Sequence, residues 1–79
     1  MARIRYFAAA AEAAGTASEN VDAATLGDLR TAVVAAHGEG FARVLGRCAV
    51  LVDGVNTTDP DTRLAASALV DVLPPFAGG

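Results

Sequence analysis

Residues 25–37 carry a helical pattern long enough to cover a sheet, whereas the other patterned segments are shorter and mostly strand-like. Leu26, Leu29, Val33 and Ala36 fall at helical spacing on one stripe. Thr25-Leu26-Gly27-Asp28 has the hydroxyl-x-x-acid form that opens helices, and Gly38 and Gly40 are expected to end this one. With 79 residues there is room for one domain, so this helix has to form the core with whatever sheet the short runs build.

Those runs are legible. Residues 3–7 alternate, with Ile4 and Tyr6 on one face and Arg3, Arg5 and Phe7 on the other. Residues 8–14 are alanine-rich, favour a short helix and are closed by Gly15. Residues 18–24 form a weaker second strand, and residues 41–46 a short turn that adds Phe41, Val44 and Leu45 to the core. Residues 48–53 are the clearest buried strand, Asp53-Gly54 predicts a hairpin turn, and residues 55–57 return. Residues 69–73 close the domain, with Leu69, Asp71 and Leu73 on one face and Val70 and Val72 on the other. One main helix on a mixed sheet of four or five strands is an α+β domain. We expect it to occupy residues 1–73, followed by an extended tail over residues 74–79.

The tail reads Pro74-Pro75-Phe76-Ala77-Gly78-Gly79. Two prolines favour an extended segment that does not fold back into the sheet. At about 3.3–3.6 Å per residue the tail reaches roughly 20 Å. The glycine pair at its end has no helix to cap and no strand to turn into, and suits backbone passing through a narrow space. The carboxylate of Gly79 is the group such a tail presents, with Gly78 beside it.

Composition narrows the function. The formal net charge of −3 argues against nucleic acid as a partner and makes a positively charged protein partner easier to envisage. All six basic residues are arginine, so no lysine is available for self-linked chains. One cysteine, Cys48, excludes an internal disulfide and a cysteine-rich metal site, and its place at the start of a buried strand suits a small core residue. His37 lies where a helix dipole favours it, and Asp53, Asp59 and Asp61 read as solvated turn residues rather than a cation site. Arg3, Arg5 and Arg63 are candidates for salt bridges to a partner. No apolar run reaches the ~18–20 residues needed to span a bilayer, and no leader pattern precedes the first strand, so the expectation is a cytoplasmic protein acting away from membranes.

Phe7-Ala8 leading through Glu12 to Gly15-Thr16, the helix of residues 25–37, Val55-Asn56 and the Pro-Pro-x-x-Gly-Gly ending together resemble the MoaD/ThiS sulfur carriers, and most closely the small subunit of molybdopterin synthase. The resemblance covers nearly the whole chain, and the ending is its most specific part. It implies a ubiquitin-like β-grasp fold and a protein that is not catalytic alone. It further implies that an E1-like (MoeB-like) adenylyltransferase, using ATP and Mg²⁺, activates the Gly79 carboxylate. A sulfur donor protein then converts it to a thiocarboxylate, and in complex with the large (MoaE-like) synthase subunit the sulfur passes to a pterin precursor of the molybdenum cofactor. The carrier itself binds no cofactor. In such a sheet the first and last strands lie side by side, so Phe7 and Leu73, with Pro74, Pro75 and Phe76 beyond, are expected to form a partner-binding surface at the root of the tail. A carrier for thiamine or cysteine biosynthesis, a ubiquitin-like protein modifier, and a binding module with an inert tail remain as alternatives. The family usually places an acidic-glycine turn before the last strand; here it is replaced by Ala65-Ala66-Ser67-Ala68.

Overall fold

The computed structural model describes residues 1–75. The elements run β1 (Ala2–Tyr6), α1 (Ala9–Ala14), β2 (Ser18–Val21), α2 (Leu26–His37), α3 (Glu39–Leu45), β3 (Ala49–Val52), β4 (Val55–Asn56) and β5 (Leu69–Leu73). The five strands form one mixed sheet in the order β2-β1-β5-β3-β4. β1 and β5 pair in parallel at its centre, and the other neighbours are antiparallel. A five-stranded sheet with its helices on one face is the β-grasp arrangement expected.

Alternation along each strand decides which face meets the helices. Ile4 and Tyr6 of β1, Val70 and Val72 of β5, and Val50 and Val52 of β3 point inward and are buried. Leu26, Leu29 and Val33 of α2 and Phe41 and Leu45 of α3 close the core. Thr25 caps α2, its Oγ1 accepting from the Asp28 N–H at 3.1 Å. Gly15 ends α1 in the left-handed conformation.

The helical stripe shifts from its expected course. Ala36 is exposed, and the residue after Val33 on the core side is His37, which is partly buried. At 100° per residue His37 lies four positions after Val33, on the same face, whereas a methyl at Ala36 adds too little apolar area to pull the helix round. His37 does sit in the last turn of α2, and it has a partner as well. Its Nε2 lies 2.5 Å from Glu19 Oε2, and its ring meets Tyr6 and Phe41 edge-on at centroid distances of 6.1 and 5.1 Å. Residues 41–46 are likewise more than a short turn. Gly38, with φ 91°, ends α2, while Gly40 lies inside α3, whose Phe41 is 1% exposed.

The turns have local causes. Asp53 and Gly54, with φ of 49° and 84°, form a two-residue hairpin of the primed kind, and Val52 pairs with Val55 across it. Asp53 also pins β5, its N–H donating to Leu69 O at 2.8 Å and its Oδ1 accepting from Leu69 N at 2.9 Å. Asp59 Oδ1 accepts from the Asp61 N–H at 2.9 Å, so the Asp53 and Asp59 carboxylates both have a local structural task. At Ala65-Ala66-Ser67-Ala68 the Ala68 N–H bonds to Ala65 O at 3.0 Å with no positive φ, so this turn requires no glycine.

Candidate functional site at the root of the tail

Because β5 runs parallel to β1, it ends beside the point where β1 ends. The Phe7 N–H donates to Val72 O at 3.1 Å, which continues the ladder and sets Phe7 next to Leu73. Leu73 in turn pairs with Ala49 of β3. Phe7, Leu73 and Ala49 thus form an apolar row across the sheet face that carries no helix, and Pro74 and Pro75 leave from its middle. Phe7 is 39% exposed, Leu73 and Pro74 are half-buried and Pro75 is exposed. Phe76, Gly78 and Gly79, also expected at the site, lie outside the described residues.

The next row toward the interior of the sheet is charged. Arg5 and Asp71 are register partners, and the guanidinium forks onto the carboxylate at 2.6 and 2.9 Å. Arg5 therefore has its counter-ion within the chain, against the expectation that it waits for a partner. The hydrogen bond from Arg5 to Asp71 raises the guanidinium pKa further. Its guanidinium carbon also stands 5.7 Å from the centre of the Phe7 ring, so the ion pair orients the aromatic side chain by a cation–π contact. Arg3 donates to Ser18 Oγ at 3.1 Å, and Arg63 lies in a backbone bridge opposite Thr25.

Between Phe7 and α1 the backbone is strained. Ala8 has φ 50° and ψ −124°, and the Ala10 N–H closes the turn onto Phe7 O at 3.0 Å. These angles belong to the first central position of a type II′ turn, where glycine is the usual residue. The sequence gives no sign of this, since Ala8 opens a run of four alanines.

The helix side of the tail root carries a feature that sequence reading missed. Pro74 and Pro75 border an open cleft of about 350 Å³, whose far side is Gly40, Arg43, Val44 and Arg47 of α3 and the residues just after it. The available signal was the i, i+3, i+4, i+7 spacing of those four residues, hidden while the segment was read as a short turn.

Cys48 stands apart from both surfaces. It precedes β3 rather than opening it, is half-buried, and its Sγ donates to Val44 O at 3.1 Å. Burial pushes its thiol pKa up, against a smaller opposing pull from Arg30, which makes it a poor nucleophile. Among the described residues no group of three or more His, Cys, Asp or Glu is placed to hold a metal ion, and no helix is long and apolar enough to cross a membrane.

Comparison with known proteins agrees with this geometry. The chain is similar to SAMP1, small archaeal modifier protein 1, from Haloferax volcanii, with 31% identity over 99% of this chain and 98% of that one, at a TM-score of 0.84. It shares its fold with a putative molybdopterin converting factor subunit 1 from Pyrococcus furiosus, at 23% identity, coverage of 95% and 97%, and a TM-score of 0.82. It shares it also with a complex of subunits 1 and 2 of the molybdopterin-converting factor from Helicobacter pylori, at 24% identity, coverage of 99% and 97%, and a TM-score of 0.76. A search of curated proteins gives no match. The sequence model of the ThiS family matches residues 4–79, which takes in every strand from β2 onward, both arginines of the cleft and the Gly-Gly ending. The chain belongs to the ThiS family.

Proposed function

We propose that the chain is a sulfur carrier whose Gly79 carboxylate is activated and loaded with sulfur for molybdopterin synthesis. The observation that carries the reading is the exit of Pro74–Pro75 from the end of β5, at the edge of the domain between the Phe7–Leu73–Ala49 row and the cleft beside α3. An apolar row lies at the root of the tail for a partner to dock on.

The chemistry asks little of the carrier. An α-carboxyl has a pKa of about 3.3–3.7, so at neutral pH Gly79 is anionic and able to attack the α-phosphorus of ATP in an activating enzyme, expelling pyrophosphate. The acyl-adenylate then has AMP as leaving group, and hydrosulfide displaces it: a C–S bond forms at the Gly79 carbonyl, the C–O bond to AMP breaks, and loss of the thiol proton leaves the thiocarboxylate. ATP and Mg²⁺ belong to the activating enzyme. A large synthase subunit receives the loaded tail, with Phe7, Leu73, Pro74, Pro75 and Phe76 at the contact; the two-subunit Helicobacter pylori assembly supports a partner of that kind.

A second reading, a protein modifier, is favoured by the similarity to small archaeal modifier protein 1. Both readings share the activated carboxylate and differ in what attacks it, a sulfur nucleophile or a lysine amine. Mass spectrometry of the protein isolated from its native host decides between them. A species heavier by the difference between one sulfur and one oxygen supports the carrier, and lysine-linked conjugates ending in Gly79 support the modifier. A chain recovered only unmodified, even with an intact adenylation system, would sink both.

A further inference from the structure

We propose that the cleft between Pro74–Pro75 and α3 receives an extended acidic segment of the protein that activates the tail, with Arg43 and Arg47 pairing to its carboxylates. The inference rests on the carrier reading and adds to it the recognition surface for the activating enzyme.

Three observations converge. Arg43 and Arg47 are one helical turn apart, both border the cleft, and neither makes an ion pair among the described residues. Glu39 stands four residues before Arg43, yet no ion pair joins them. In a chain of net charge −3 the two arginines are a local reversal of sign, which selects an acidic partner and disfavours a second copy of the chain.

Gly40 is the second observation. Glycine inside a helix is destabilising relative to alanine, and among the described residues nothing asks for it: its φ is not positive and a Cβ would meet no described atom within 4 Å. Among the described residues the room beside it is open. An extended main chain passing over the bare helix backbone at Gly40, with carboxylates reaching Arg43 and Arg47, fits both facts.

Position is the third. Pro74 and Pro75 form the opposite side of the cleft, so any protein that takes the tail into its active site must come within reach of the two arginines. A docking contact here orders Pro74 and Pro75 and so aims the Gly79 carboxylate.

The test is adenylation by the activating enzyme of the same organism, with this chain as the varied substrate. R43E/R47E should raise KM about tenfold and leave kcat within about twofold, while R43K/R47K stays close to wild type because the charge is retained. Gly40→Leu, which fills the cleft, should raise KM in the same way with no loss of thermal stability. An R43E/R47E chain with unchanged KM, while deletion of Gly79 abolishes turnover, overturns this surface and leaves the carrier reading intact. A wild-type chain that is never adenylated overturns the carrier reading, and this inference with it. In the amide spectrum of the free chain, removal of residues 76–79 should leave Gly40 and Val44 unmoved; a shift there would assign the cleft to the chain's own tail and overturn the proposal.

Discussion

Two single residues show how much one side chain settles. Ala8 holds φ 50° and ψ −124°, a region glycine enters freely and alanine does not. Ala8→Gly should raise the unfolding free energy by ~1 kcal/mol, the relief of strain outweighing the added freedom of the unfolded chain. Chemical denaturation with an unchanged m-value checks it, and a destabilised variant would mean the turn is not strained. Glu19 is the second. Burial alone would raise its pKa, but the hydrogen bonds from the Tyr6 hydroxyl at 2.6 Å and from His37 outweigh it, and the pKa falls below its ordinary value. A carboxylate with a depressed pKa in the fold contributes stability that is fully present above its unfolded value of about 4.3 and is lost as pH falls through the folded value. Tyr6 is shifted upward by burial and by the same carboxylate, so its contribution is full below about pH 10 and fades above it. Stability should therefore be flat between about pH 5 and 9 as far as this pair is concerned, and Glu19→Gln should flatten the acid limb. An acid limb as steep in the variant as in the wild type would show that Glu19 does not set it.

At the scale of elements, the two phenylalanines Phe41 and Phe7 behave oppositely. Phe41 on α3 is 1% exposed and meets Tyr6 edge-on at 5.4 Å, so it joins the helix layer to the sheet. Phe41→Ala should cost about 3–5 kcal/mol, the usual range for a buried aromatic truncated to alanine. Phe7, on the bare face of the sheet, loses only its cation–π contact with Arg5 and part of its apolar area, and Phe7→Ala should cost about 1 kcal/mol. Thermal melts of the two variants side by side distinguish a core residue from a surface one, and equal losses would place Phe7 in the core. On the carrier reading Phe7→Ala also weakens binding to the large subunit, whereas Cys48→Ala leaves sulfur loading unchanged, because the raised thiol pKa and the bond to Val44 O keep that sulfur out of the chemistry.

At the scale of the whole molecule, the parallel pairing of β1 with β5 is the decisive contact. It joins strands from opposite ends of the chain in the centre of the sheet, and by its direction it sets the tail root beside Phe7. On the carrier reading, changes beyond Pro75 should act on activity and not on stability. Gly78→Ala adds a methyl, and Gly78→Val adds a stiff branched group to backbone that must thread a confined passage in the partner. We expect a graded loss of sulfur transfer, alanine milder than valine, with identical melting curves; equal transfer by all three in a reconstituted assay would show that the tail is not confined. Much of the molecule was legible in the sequence: the alternation that buries Ile4, Tyr6, Val70 and Val72, the cap at Thr25 and the hairpin at Asp53-Gly54 are local patterns, fixed by period and by backbone preference. Four features were not. His37 taking the place of Ala36, the Arg5–Asp71 pair and the cleft shared by Arg43, Arg47 and Pro74 depend on which distant residues the sheet brings together, and the Ala8 turn is held in a conformation that alanine itself does not favour. Period and propensity describe a segment against its own neighbours in sequence, whereas the first three arise between segments, where only the packed chain supplies the second partner, and the fourth runs against the preference of its own residue.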